Sequence, residues 1–126
     1  MNRKEAREFV MQAVFQMEAQ KDFEHPDINK YLSRENLGNN RDYAEKLLTA
    51  IAENIEEIDA AIDLHSEGWP HTRMTRMDLA IIRVACGEMK YLDMAPAVSI
   101  NEAVNMAKKY GTEQSPKFVN AVLGKF

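Results

Sequence analysis

The chain has 126 residues, 45% of them hydrophobic and 29% charged, with 16 Lys plus Arg against 20 Asp plus Glu and a formal net charge of −4. That length predicts one domain, 1–126, whose single core buries about two-thirds of the unfolded surface without disulfides. One cysteine excludes a disulfide framework, and apolar runs far shorter than the roughly 20 residues of a membrane span exclude a membrane protein, so a soluble, cytoplasmic protein is expected.

Asn2 caps a first helix running to about Lys21, with an apolar stripe of Ala6, Phe9, Val10, Ala13, Val14 and Met17 at the helical period. Lys4, Arg7, Met11 and Phe15 form a second line on it. Phe15 there either packs under another segment or offers an aromatic platform flanked by cations, the arrangement that stacks single-stranded nucleic acid and neutralises its phosphates. From Asp22 to Arg34 the pattern loosens, and Pro26 opens a short helix with Ile28, Tyr31 and Leu32. Asn40 then caps a long helical region from about Arg41 to Leu64, with a break near Asn54 left open. Its acids, Glu53, Glu56, Glu57, Asp59 and Asp63, form a solvated face.

Gly68, Pro70 and polar neighbours interrupt the rhythm, and Trp69 is expected to bury its ring as a lid on the bundle. Thr75 caps the next helix, with Asp78 at the third position. That helix is apolar around most of its circumference and should be central. Its Arg76 and Arg83 sit exposed at an edge or pair with Asp78 or Glu88. Ser99 and Glu102 read as a capping box opening a helix through Ile100, Ala103, Val104 and Ala107, which Lys108 and Lys109 suit at its negative end and Gly111 closes. Ser115 caps the last helix, with Pro116 at its first position and Phe118, Val119, Val122 and Leu123 on its apolar side.

No segment alternates with period two, so the fold is all-α, an irregular bundle of about six or seven helices with methionines as core filler. Chemistry is sparse. There is no Gly-rich phosphate loop or nucleophile elbow, and the three histidines lack metal-pair spacing. Cys86 lies in an apolar run as a buried free thiol, so neither an enzyme nor a cofactor is expected. The acids gather in the middle while Arg3, Lys4 and Arg7 open the chain and Lys108, Lys109, Lys117 and Lys125 lie near its end. A fold that joins the ends makes a local basic surface on an acidic protein.

Ile100-Asn101-Glu102-Ala103-Val104, Ala107-Lys108-Lys109-Tyr110-Gly111 and Ser115-x-Lys117-Phe118-Val119-Asn120-x-Val122-Leu123 closely resemble the C-terminal signature of the NusB transcription antitermination family. Trp69-x-x-x-Arg73 and Asp78-x-Ala80-Ile81-Ile82-Arg83-x-Ala85-x-x-Glu88 resemble its central-helix motif, and Ala6-Arg7-Glu8 through Phe15 its first helix. The resemblance implies an all-helical adaptor that pairs with the small-subunit ribosomal protein NusE. The pair binds boxA-type single-stranded RNA of nascent ribosomal RNA leaders, joins other Nus factors on RNA polymerase, and opposes termination. Carried over residue by residue, it implies RNA contacts at Arg3, Lys4, Arg7, Phe15, Lys117 and Phe118, and a partner contact at Asp78. Asn101 and Glu102 are better read as structural, Glu102 closing the capping box. Glu5 interrupts the family's denser arginine run, Gly87 stands where an aromatic commonly precedes the glutamate, and Ala121 replaces a usual glycine. The alternatives are a protein-interaction bundle without RNA, or a NusB-like domain of an RNA methyltransferase.

Overall fold

The computed structural model describes residues 1–33 and 36–126, so Arg34, the end of the looser segment, lies outside the described residues. Among the described residues there are seven α-helices and no strand: α1 (Arg3–Gln20), α2 (Ile28–Leu32), α3 (Arg41–Glu53), α4 (Ile55–His65), α5 (Arg76–Tyr91), α6 (Pro96–Tyr110) and α7 (Ser115–Leu123). Short 3₁₀ turns cover Gly38–Asn40 and His71–Arg73.

Helix α5 is the axis. From Asp78 to Glu88 every residue is buried, because α1, α3, α4, α6 and α7 all pack against it. A helix apolar on most sides has no solvent face to offer and is stable only when enclosed in this way. Gly87 permits a close approach of α3. A Cβ there would meet Ile51 Cγ1 at 2.7 Å and Leu47 Cδ1 at 3.1 Å, so α3 fills the space a side chain would need. Cys86, on the same helix, is buried, and burial pushes its thiol up to about 12.

Local chemistry sets the helix ends. At α1 the expected cap is present as a full capping box, with Asn2 Oδ1 accepting from the Glu5 N–H (2.8 Å) and Glu5 Oε1 from the Asn2 N–H (3.0 Å). The helix stops at Lys21, whose left-handed backbone (φ 54°) lets the Asp22 amide return to the Met17 carbonyl. The long middle segment is two helices. Asn54 ends α3 by turning its side-chain amide onto the Ala50 carbonyl (2.8 Å), the local competition with helical bonding that asparagine favours.

Elsewhere the expected caps are displaced. Asn40 makes no capping bond to α3, because its side chain bridges Arg3 and the Met1 carbonyl instead. Helix α6 begins a turn before Ser99, at Pro96, whose ring fixes a helical φ and whose missing N–H costs nothing at that position. Ser99 is therefore buried inside the first turn, and its hydroxyl has no hydrogen-bond partner among the described residues. The Ser99–Glu102 capping box does not form. Ser115 is the first residue of α7, its Oγ accepting from the Thr112 N–H (2.9 Å) across the α6–α7 corner. Gly111 sits in that corner in an ordinary extended conformation, yet a Cβ would fall 2.4 Å from Ser115 Oγ and 2.8 Å from the Ala107 carbonyl. The position needs glycine for space.

Trp69 is not a lid: it remains 48% exposed, with the Arg73 guanidinium 5.9 Å from its ring centre. Arg83 pairs with neither Asp78 nor Glu88, but grips Asp59 of α4 through Nε (2.9 Å) and one terminal nitrogen (2.7 Å) and approaches Glu18 of α1 (3.3 Å). One member of the acidic middle face is thus a clamp between α4 and α5. Asp63 serves likewise, accepting from the His71 amide at 2.7 Å.

Candidate nucleic-acid interface

Side chains bridge the first half of α1 to the end of α6. Glu8 accepts from Lys109 Nζ at 3.0 and 3.2 Å and from the Tyr110 hydroxyl at 3.1 Å, and the Glu8 carboxylate and the Tyr110 hydroxyl hold the Lys109 ammonium above its usual range. Lys109, from the basic end of the sequence, is therefore tied to α1 through an acid one turn beyond Lys4. Arg3 is anchored at the start of α1, its Nε donating to Asn40 Oδ1 (2.8 Å) and its guanidinium 4.0 Å from the Tyr43 ring centre. That stacking holds the charge without neutralising it. Lys4, Lys108 and Lys117 are exposed and form no ion pair among the described residues.

Arg7 departs from the expected phosphate contact. It is 4% exposed, its Nε donates to the fully buried Glu88 at 2.8 Å, and a terminal nitrogen approaches Glu102 at 3.6 Å. The Tyr43 hydroxyl donates to the same Glu88 oxygen at 2.5 Å. Burial alone would lower the guanidinium's pKa, but Tyr43, Glu88 and Glu102 outweigh it and raise it above its usual value. Burial, then Glu88, raises the Tyr43 phenol. Arg7 is an internal tie joining α1, α3, α5 and α6, with no guanidinium edge left for RNA. The sequence carried a signal for this: Arg7 shares an arc with Val10, Met11 and Val14, at the three- and four-residue spacing of a buried stripe.

Phe15 and Phe118 are half-buried and pack against the core, so each presents part of its ring. Asp78 is buried at the first turn of α5, where its N–H donates to Thr75 Oγ1 (3.1 Å) and its Oδ1 has no hydrogen-bond partner among the described residues. No group of three or more His, Cys, Asp or Glu could hold a metal among those residues, and no helix there is long and apolar enough to cross a membrane. The contact that sequence spacing did not reveal is Glu8 with Lys109 and Tyr110, because its members lie about 100 residues apart.

The sequence profile of the NusB family matches residues 4–126. The chain belongs to the NusB family. Proteins called transcription antitermination protein NusB resemble it over nearly its full length. That of Acetivibrio thermocellus is 42% identical, over 99% of this chain and 88% of its own, and that of Agathobacter rectalis 44% identical, over 100% and 99%. T. maritima NusB superposes with a TM-score of 0.88 at 31% identity, over 99% of this chain and 89% of that one. A solved NusB, in complex with NusE and double-stranded RNA, gives 0.81 at 26% identity, over 98% and 93%. This chain thus has the all-helical NusB architecture and belongs to a family whose named members are transcription antitermination proteins rather than enzymes.

Proposed function

We propose that this chain is an antitermination adaptor that binds boxA-type single-stranded RNA of nascent ribosomal RNA leaders together with NusE, acting in the cytoplasm with other Nus factors on RNA polymerase. The observation that carries the reading is the seam between Glu8 and Lys109, which ties the end of α6 with its exposed Lys108 to the helix that opens with exposed Lys4, on an otherwise acidic protein. The complex that a structurally similar NusB forms with NusE and RNA supports it. In this reading Arg3, Lys4 and Lys117 contact phosphates, and the open parts of Phe15 and Phe118 take stacked bases. Arg7 supports the surface from inside. The partner contact that the resemblance implies at Asp78 is not carried into this reading, because the residue is buried and its unpaired Oδ1 is closed to a partner's donor as it is to solvent.

The test is fluorescence anisotropy of a labelled boxA-type RNA against the chain, with and without NusE, over a salt series. Expected is sequence-selective binding that tightens with NusE and weakens with salt by about 0.7 logarithmic units per phosphate contact. Absence of binding from folded protein in both conditions would overturn the reading.

A further inference from the structure

Beside the basic seam, on the flank of α1 that faces α2, the surface holds a cavity of about 270 Å³ lined by Phe9, Gln12, Gln16, Gln20, Lys30 and Tyr31. It is far larger than the roughly 30 Å³ of a liquid water. The three glutamines fall four residues apart, so their amides form a row along one helix face. Gln12 also precedes Phe15 by three residues, so the ring proposed above to stack a base lies about one helical turn from the edge of the groove. Phe9 and Tyr31 are half-buried, packed on the core while still lining the cavity. The Tyr31 hydroxyl donates to Asp22 at 2.5 Å and lies 3.1 Å from the Gln20 amide oxygen, which fixes one wall. Asp22 brings a negative charge to that wall, and the Lys30 ammonium, exposed and without an ion pair among the described residues, offsets it.

We propose that this groove takes an adenine nucleotide of the single-stranded RNA, immediately flanking the segment held at the basic seam. The inference rests on the RNA reading above and deepens it. Single-stranded RNA is recognised by stacking unstacked bases on aromatic rings and bonding their edges. A glutamine amide presents a donor and an acceptor side by side, the pattern that matches adenine's adjacent acceptor and donor. The lining favours a nucleotide over a protein segment, because amides, a phenol and an ammonium surround the rings where a docked helix would need a continuous apolar strip.

The test compares five RNAs: a boxA-type core, the core with three adenosines added at its 5′ end, the same addition at its 3′ end, and the two matching uridine extensions. Each is titrated by anisotropy against the wild-type chain, a Gln12→Ala/Gln16→Ala double variant, and Lys4→Ala as a seam control. Both glutamines are exposed on a helix that alanine favours, so the double variant keeps the fold, as circular dichroism will verify. One adenosine extension is expected to bind at least fivefold more tightly than its uridine counterpart, the lower end of a good bidentate contact. The double variant should lose that preference and keep the core affinity, whereas Lys4→Ala should weaken core and extended RNAs alike. Equal binding of all extensions, or a preference that survives the double variant, overturns the groove and leaves the seam intact. A double variant that weakens NusE capture without changing RNA binding assigns the groove to a protein and likewise overturns it. Failure of the wild-type chain to bind even the core with NusE present removes the seam reading, and this inference with it.

Discussion

Two regions of this bundle carry positive charge, and they use it in opposite ways. In the interior, Arg7 is enclosed by α1, α3, α5 and α6 and committed to Glu88 and Glu102, with Tyr43 sharing the Glu88 oxygen. On the surface, Lys4, Lys108 and Lys117 stand exposed without ion pairs among the described residues. The charge type is the same; burial and partners decide its work. An interior cation stabilises the fold and is invisible to a ligand, while a surface cation contributes little to the fold and is available to phosphate.

The largest test of this contrast is Arg7→Ala. It leaves the fully buried Glu88 carboxylate without its cation, and urea denaturation should show a loss of about 3–5 kcal/mol, as for other broken buried pairs. RNA affinity per folded molecule should stay unchanged; selective loss of RNA affinity at wild-type stability would return Arg7 to the surface set. Next is Phe15→Ala, which straddles the two regions. With half of its ring on the core, it should lose some stability, and folded protein should bind boxA-type RNA about 1–3 kcal/mol more weakly if the open part stacks a base. A change in melting temperature alone would place the ring wholly in the interior class.

Lys117→Ala sharpens the other side. Its stability should stay within about 0.5 kcal/mol of wild type, while the salt dependence of RNA binding falls by about 0.7 per lost phosphate contact. The smallest effect concerns an exposed carboxylate used structurally. Burial alone would raise the Asp63 carboxyl, but the backbone and ring nitrogens of His71 draw it below its ordinary value. Its stabilising contribution is present above the unfolded value of 3.8 and is lost as pH falls from there through the lower folded value. Asp63→Asn should therefore flatten a shallow decline in stability at acid pH, measured by thermal melts between pH 5 and 2.

Much of the architecture was legible because it depends on local rules. The Asn2–Glu5 capping box, the all-round apolar α5 and the break at Asn54 all follow from residues within a few positions of one another. The caps assigned to Asn40 and Ser99 failed because something nearby won: Arg3 and Met1 recruited the first, and Pro96 started the helix before the second. Trp69 failed because ring size predicts burial only when a surface is there to receive it. In the candidate interface, the exposed lysines are identifiable as charges near the ends, but the Glu8 contact that ties Lys109 to α1 is tertiary. Arg7 was misplaced by giving its charge more weight than its position on the buried arc of α1.

The crowding at Gly111 has a consequence for binding energetics. Because Ser115 Oγ and the Ala107 carbonyl occupy the space around its α-carbon, the elbow between α6 and α7 has little room to flex, and the offset between Lys108 and Lys117 is set before any ligand arrives. In the proposed RNA reading, two cations on a rigid bracket would act as a gauge, suited to one spacing of phosphates, with the order of their backbones set in folding rather than in association. A longer or softer elbow would keep every charge and still bind more weakly.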